Sequence, residues 1–139
     1  MKKFAIALGM VAFVSLLIPA AGAAEPDVSK LPAAADRPIA FEKDIKPIFE
    51  ASCAECHGPK RQKSKYRLDD PEIAVKGGSS GEAAIIPGTP EKSVLLLQAA
   101  GLIKDMEMPP VENRDRFPQL TPEQLGLIRA WIAQGAKFE

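Results

Sequence analysis

From Phe4 to Ile18 nearly every position is apolar, and Lys2 and Lys3 precede the run. Ala21-Gly22-Ala23 then supplies a small-x-small cleavage site, the layout of a secretory leader. The run of about 15 apolar positions is shorter than the roughly 20 that a spanning helix needs. The expectation is a signal peptide over 1–23, cut after Ala23 or Ala24, that directs the chain to the periplasm. No other stretch is apolar enough to span a membrane, so the mature chain is expected to have none. From Glu25 to about Ile39 the chain is rich in Ala and Pro and reads as a flexible lead-in, 24–40.

Beyond it the pattern becomes helical in short pieces. Ile45, Ile48 and Phe49 recur at i, i+3 and i+4, which predicts a helix from about Glu42 to Ser52. Glu42 and Asp44 suit the positive end of its dipole. Pro47 is compatible only within a first turn. Thr89 as N-cap and Pro90 at N1 predict a second helix, apolar nearly all round from Val94 to Leu97 and stopped by Gly101. In "LTPEQL" a capping box of Thr121 with Gln124 opens a third, with Leu120 and Leu125 as a staple across it. Leu125, Ile128 and Ile132 share its inner face and Gly135 ends it. Between Gly58 and Pro90 there is little periodicity, and "YRLDDPEIAV" fits an extended piece or one helical turn. The expected fold is a small all-α domain over 41–139, with three or more short helices and long loops.

Charge changes the picture little. Removing Lys2 and Lys3 takes 18 basic and 18 acidic residues to 16 and 18, a net of about −2. That gives no broad basic face for nucleic acid or anionic lipid. Locally, Lys60, Arg61, Lys63, Lys65 and Arg67 form a basic run. It reads as a solvated loop, or as a place where one or two cations meet an anionic group.

Candidate chemistry concentrates in "SCAECHGPK". It holds Cys53 and Cys56, the chain's two cysteines, and His57, its one histidine. A structural zinc site wants four Cys or His ligands, and the chain has three within five residues. A redox dithiol in C-x-x-C usually sits in an α/β setting, which is absent here, and an inert disulfide is a further bland reading. The pattern C-x-x-C-H instead points to covalent haem attachment. The cysteines would form thioethers along one edge of the macrocycle, and His57 would place its imidazole under the iron.

With His57 alone, a second axial histidine is impossible within the chain. After leader removal the methionines are Met106 and Met108, in "DMEMPP". A thioether opposite histidine is the pairing of a high-potential electron carrier. Pro109 pushes Met108 to extended backbone and Pro110 stiffens the same loop, which favours Met108. Met106, two residues earlier, points to the same side of an extended segment and remains the alternative. Both could also be core filler.

"FEKDIKPIFEASCAECHGP", "YRLDDPEIAVKGG", "IIPGTPEKSVLL", "MEMPP" and "LTPEQLGLIRAWIAQGA", in this order, resemble the planctomycete-type cytochrome c domain, a branch of the class I cytochrome c-like haem proteins. The resemblance covers about Phe41 to Ala136. It implies Cys53 and Cys56 as haem thioethers, His57 as proximal iron ligand and Met108, from the Met-Pro-Pro segment, as distal ligand. It also implies N- and C-terminal helices packed together beside haem c. Many relatives fuse this domain to larger modules; this chain is read as carrying it alone after the leader.

The expected function is an exported single-haem electron carrier between a redox donor and an acceptor, not an enzyme. One alternative is a peroxidase or gas-binding domain with an open iron position, for which Glu107 or Arg114 would be the distal group. Another is a haem subunit of a larger complex. Trp131 is expected in the core beside the haem, or with its indole N–H on a propionate. Arg61, Arg67 and Tyr66 are further propionate candidates.

Overall fold

A computed structural model describes residues 25–139. The leader expected over 1–23 lies outside the described residues. Four α-helices carry the fold: α1 (Lys46–Ser52), α2 (Pro71–Lys76), α3 (Val94–Ala99) and α4 (Pro122–Ala133). Among the described residues there is no strand, only an isolated bridge between His57 and Gln62. The domain is all-α, as the periodicity predicts.

Proline decides how the first helix begins. Pro47 has no N–H to bond to the preceding turn, and it stands in the first turn of α1. Upstream of it, Phe41–Ile45 forms a wider π-turn, closed by Lys46 N–H on the Phe41 carbonyl. The extra residue in that turn rotates Phe41 and Ile45 inward, and both are buried.

The helix expected from Thr89 is in fact two pieces. Pro90–Lys92 makes a 3-10 turn, and α3 starts only at Val94. The break is at Ser93, which is fully buried. Its Oγ accepts from Ile86 N–H at 2.9 Å and donates to the Thr89 carbonyl at 3.1 Å. A buried hydroxyl satisfied this way holds the chain out of helical register. The "DDPE" stretch resolves as a helix, with the Asp70 carboxylate accepting from Glu72 and Ile73 N–H. The capping box of α4 is present in both directions, Gln124 N–H to Thr121 Oγ1 and Thr121 N–H to Gln124 Oε1.

The core lies where the first helix, α3 and α4 meet. Ile45, Ile85, Leu96, Ile128, Trp131 and Ile132 are its largest fully buried side chains. Phe41, Phe49 and Phe138 surround Trp131 at ring separations of 5.6, 5.9 and 5.1 Å. These edge-on and tilted contacts tie the first helix to the last.

Residues 25–40, expected to be a flexible lead-in, instead lie along α4. Leu31 is buried in the core. Ala35 N–H bonds the Gly126 carbonyl at 3.1 Å, and Arg129 donates to the Pro32 carbonyl at 2.8 Å and to Glu91 at 2.7 Å. Gly126 makes the approach possible: a Cβ there would come within 2.6 Å of the Ala33 carbonyl. Low local propensity did not reveal these bonds, because every partner is remote in sequence.

Candidate functional site

Where α1 ends, the chain coils once more. Cys53 N–H and Ala54 N–H both bond the Phe49 carbonyl, and the Cys53 carbonyl then accepts from Cys56 and His57 N–H at 3.1 and 2.9 Å. This turn gathers Cys53, Cys56 and His57. Gly58 follows because the turn's own backbone is close: a Cβ there would lie 2.4 Å from the Ala54 carbonyl. The return is pinned by Lys63 N–H on the Cys56 carbonyl and Leu68 N–H on the His57 carbonyl, each 2.9 Å. Tyr66 sets its ring edge-on to His57 at 5.4 Å and donates its hydroxyl to the Ala74 carbonyl at 2.9 Å.

Cys53, Cys56 and His57 line one cavity, of about 850 Å³ counting the open solvent at its mouth. The turn contributes Cys53, Cys56 and His57. The loop after α3 contributes Met108, Pro109 and Pro110, and Ala99, Phe117 and Leu120 add apolar surface. Met108 is partly buried and its N–H bonds the Gln98 carbonyl at 2.9 Å. Met106 is 48% exposed and takes no part in the lining. So the structure brings the cysteines, the histidine and Met108 together and leaves Met106 outside.

The electrostatics argue against a reactive dithiol. Burial, with the neighbouring Cys56 second, pushes the Cys53 thiol up to about 12, so it stays protonated at neutral pH. Both cysteines are free, and Cys53 is the C-cap of α1, where the helix dipole disfavours a thiolate. Among the described residues no three His, Cys, Asp or Glu side chains converge as a bare metal ion would require. His57 has its pKa lowered, chiefly by burial; the Lys63 and Tyr66 backbones pull the other way. Its Nδ1 is buried with no hydrogen-bond partner in the protein. Two unpaired thiols, a neutral imidazole with unspent bonding capacity and a thioether around an apolar-walled space fit a covalently attached haem.

Trp131 is a core residue, as expected, while the alternative polar roles are corrected. Trp131 does not line the cavity; it is 1% exposed, and its indole N–H is taken by the Lys137 carbonyl at 2.8 Å. It is therefore not a propionate donor. Arg67 is paired with Asp69, the Tyr66 hydroxyl is engaged, and neither they nor Arg61 line the cavity. Glu107 and Arg114 are likewise outside the lining. Arg114 instead reaches the Pro109 carbonyl at 3.4 Å, bracing the Met108–Pro110 segment. Sequence reasoning missed Asn113 and Phe117 as lining residues, since their loop has no periodicity. Lys63 was visible only as one of five cations, and Leu120 only as a staple.

Residues 53–112 match the family model described as Planctomycete cytochrome C. That match supports a planctomycete-type cytochrome c domain over these residues. No curated protein and no solved structure matches it. The family implies a covalently bound haem c with its iron, and a role in electron transfer rather than catalysis. Among the described residues no helix is long and apolar enough to cross a membrane.

Proposed function

We propose that this protein is an exported single-haem c-type cytochrome that passes electrons between a donor and an acceptor protein. Cys53 and Cys56 hold the haem as thioethers, His57 is the proximal iron ligand and Met108 the distal one. When bound, the haem supplies the ferric/ferrous couple. The chain's own residues do the rest. The hydrogen-bonded turn fixes His57, and the two prolines with the Gln98 carbonyl hold Met108. The apolar lining keeps water from the iron, which together with a thioether ligand raises the potential.

The observation that carries this reading is the shared cavity: Cys53, Cys56, His57 and Met108 all line it, and Met106 does not. Export rests on the leader pattern of residues 1–23 and on the usual location of cytochrome c domains. The test is the absorption and magnetic spectrum of purified holoprotein. A low-spin iron with methionine–iron features is expected, lost in Met108→Ala and kept in Met106→Ala. A high-spin, five-coordinate wild type would sink the reading.

A further inference from the structure

Charge is distributed unevenly around the cavity mouth. From Glu25 onward the chain holds 16 basic and 18 acidic residues, yet Lys60, Arg61, Lys63 and Lys65 stand together with no acid among them. Without these four the remainder holds 12 basic and 18 acidic residues. All four are exposed, and among the described residues none has an ion-pair partner. Lys63 itself lines the cavity beside His57, as does Ser64.

The loop is also held in shape. Gly58 N–H bonds the Arg61 carbonyl at 3.0 Å, Lys63 N–H the Cys56 carbonyl at 2.9 Å and Ser79 N–H the Ser64 carbonyl at 2.7 Å. Ser64 and Lys65 sit in consecutive left-handed conformations, φ 56° and 55°, which side-chain-bearing residues adopt only when their surroundings hold them there. A loop that only needed solvation would not require this. The backbone that carries the four cations is held, and Lys63 brings it to the rim of the site.

We propose that Lys60, Arg61, Lys63 and Lys65 form a docking surface for a redox partner protein with an acidic face. The proposal rests on the electron-transfer reading above. Like charges clustered on one short loop focus potential outward and steer an oppositely charged partner to the rim, which raises the encounter rate by about 10–10³-fold at low salt. An anionic membrane is the less favoured occupant, because the rest of the chain is acidic and a bilayer brings no redox group to the cavity mouth.

The test compares holoprotein with the variant K60E/R61E/K65E, which leaves Lys63 in place. Stopped-flow oxidation of the ferrous protein is followed with hexacyanoferrate(III), an anion, and with tris(phenanthroline)cobalt(III), a cation. For the wild type the anionic reagent should slow as ionic strength rises. In the variant its low-salt rate should fall by about tenfold or more while the cationic reagent speeds up, with spectrum and unfolding midpoint unchanged. Poly-L-glutamate should slow oxidation of the wild type and not of the variant. Equal rates for both proteins with both reagents would overturn the proposal. So would co-sedimentation of wild type, but not variant, with phosphatidylserine vesicles at physiological salt, in favour of a membrane surface. Calorimetric binding of poly-L-glutamate to each protein needs no electron transfer. It separates failure of this surface from failure of the electron-transfer reading, which the spectrum alone decides.

Discussion

The lining that carries Cys53, Cys56 and His57 is held by hydrogen bonds between near neighbours in the chain, from the Phe49 carbonyl through to Leu68 N–H. The lining that carries Met108 is held differently. Its supports are the Gln98 carbonyl, the Arg114 side chain on Pro109, and an ion pair from Arg116 back to Glu55 at 2.8 Å. The first is a local motif that folds as a unit with α1. The second is a long loop that reaches the cavity only when α3 and the attachment turn are already placed. On the proposed function, haem attachment should therefore be all-or-none, whereas ligation by Met108 should be graded and adjustable by distant groups.

The largest effect tests the local half. Replacing Cys53 and Cys56 together by Ala should abolish covalent haem, read as loss of haem staining on a denaturing gel, while Met108→Ala keeps the stain. Haem that stayed covalent in the double variant would break the comparison. Next, Gly58→Ala pushes a methyl against the Ala54 carbonyl with no flexible neighbour to yield. It should lower stability by about 1–3 kcal/mol in a denaturant titration of the holoprotein.

A smaller effect tests the remote half. Glu55→Gln removes the exposed pair with Arg116, and exposed pairs contribute about 0.2–1 kcal/mol. Binding of exogenous imidazole in competition with Met108 should tighten by about 1.4- to 5-fold at low salt. The difference should vanish at high salt, because screening already silences the wild-type pair. An unchanged affinity at low salt would show that the pair does not support the loop. The smallest concerns the base of the first helix. Arg37 donates to Asp44 and, with Ala40 N–H, holds its carboxyl down at about 2. A depressed carboxyl contributes stability that is fully present above its ordinary value of 3.8 and lost as pH falls through about 2. Arg37→Gln should flatten that acid limb in pH-dependent unfolding, with no change in the Met108 spectrum.

The same contrast explains what was legible in the sequence. The convergence of Cys53, Cys56 and His57 in one turn and the α4 capping box were readable because their partners lie within a few residues: Cys53 to His57, Thr121 to Gln124. The choice of Met108 over Met106 could be leaned toward from Pro109 and Pro110. The difference in exposure that separates them depends on where α3 ends. Phe117 and Asn113 gave no signal because they reach the cavity only through the folded loop. The lead-in was misread for a related reason. Its Ala and Pro content predicts little on its own, and its placement comes from Gly126 and Arg129 on α4 and from Gln134 at its C-cap, all remote in sequence. The second helix was misjudged at Ser93, where a buried hydroxyl outweighs a proline signal three residues earlier.

Trp131 is the one tryptophan of the chain, and it sits sealed among three phenylalanine rings at the junction of the first and last helices. That placement makes it a label-free optical gauge. Its emission reports a dry environment while the junction is closed and shifts to the red when water enters. A pigment seated in the neighbouring cavity would quench it by energy transfer. Cofactor loading and the integrity of the helix junction can thus be followed on one instrument, in unmodified protein.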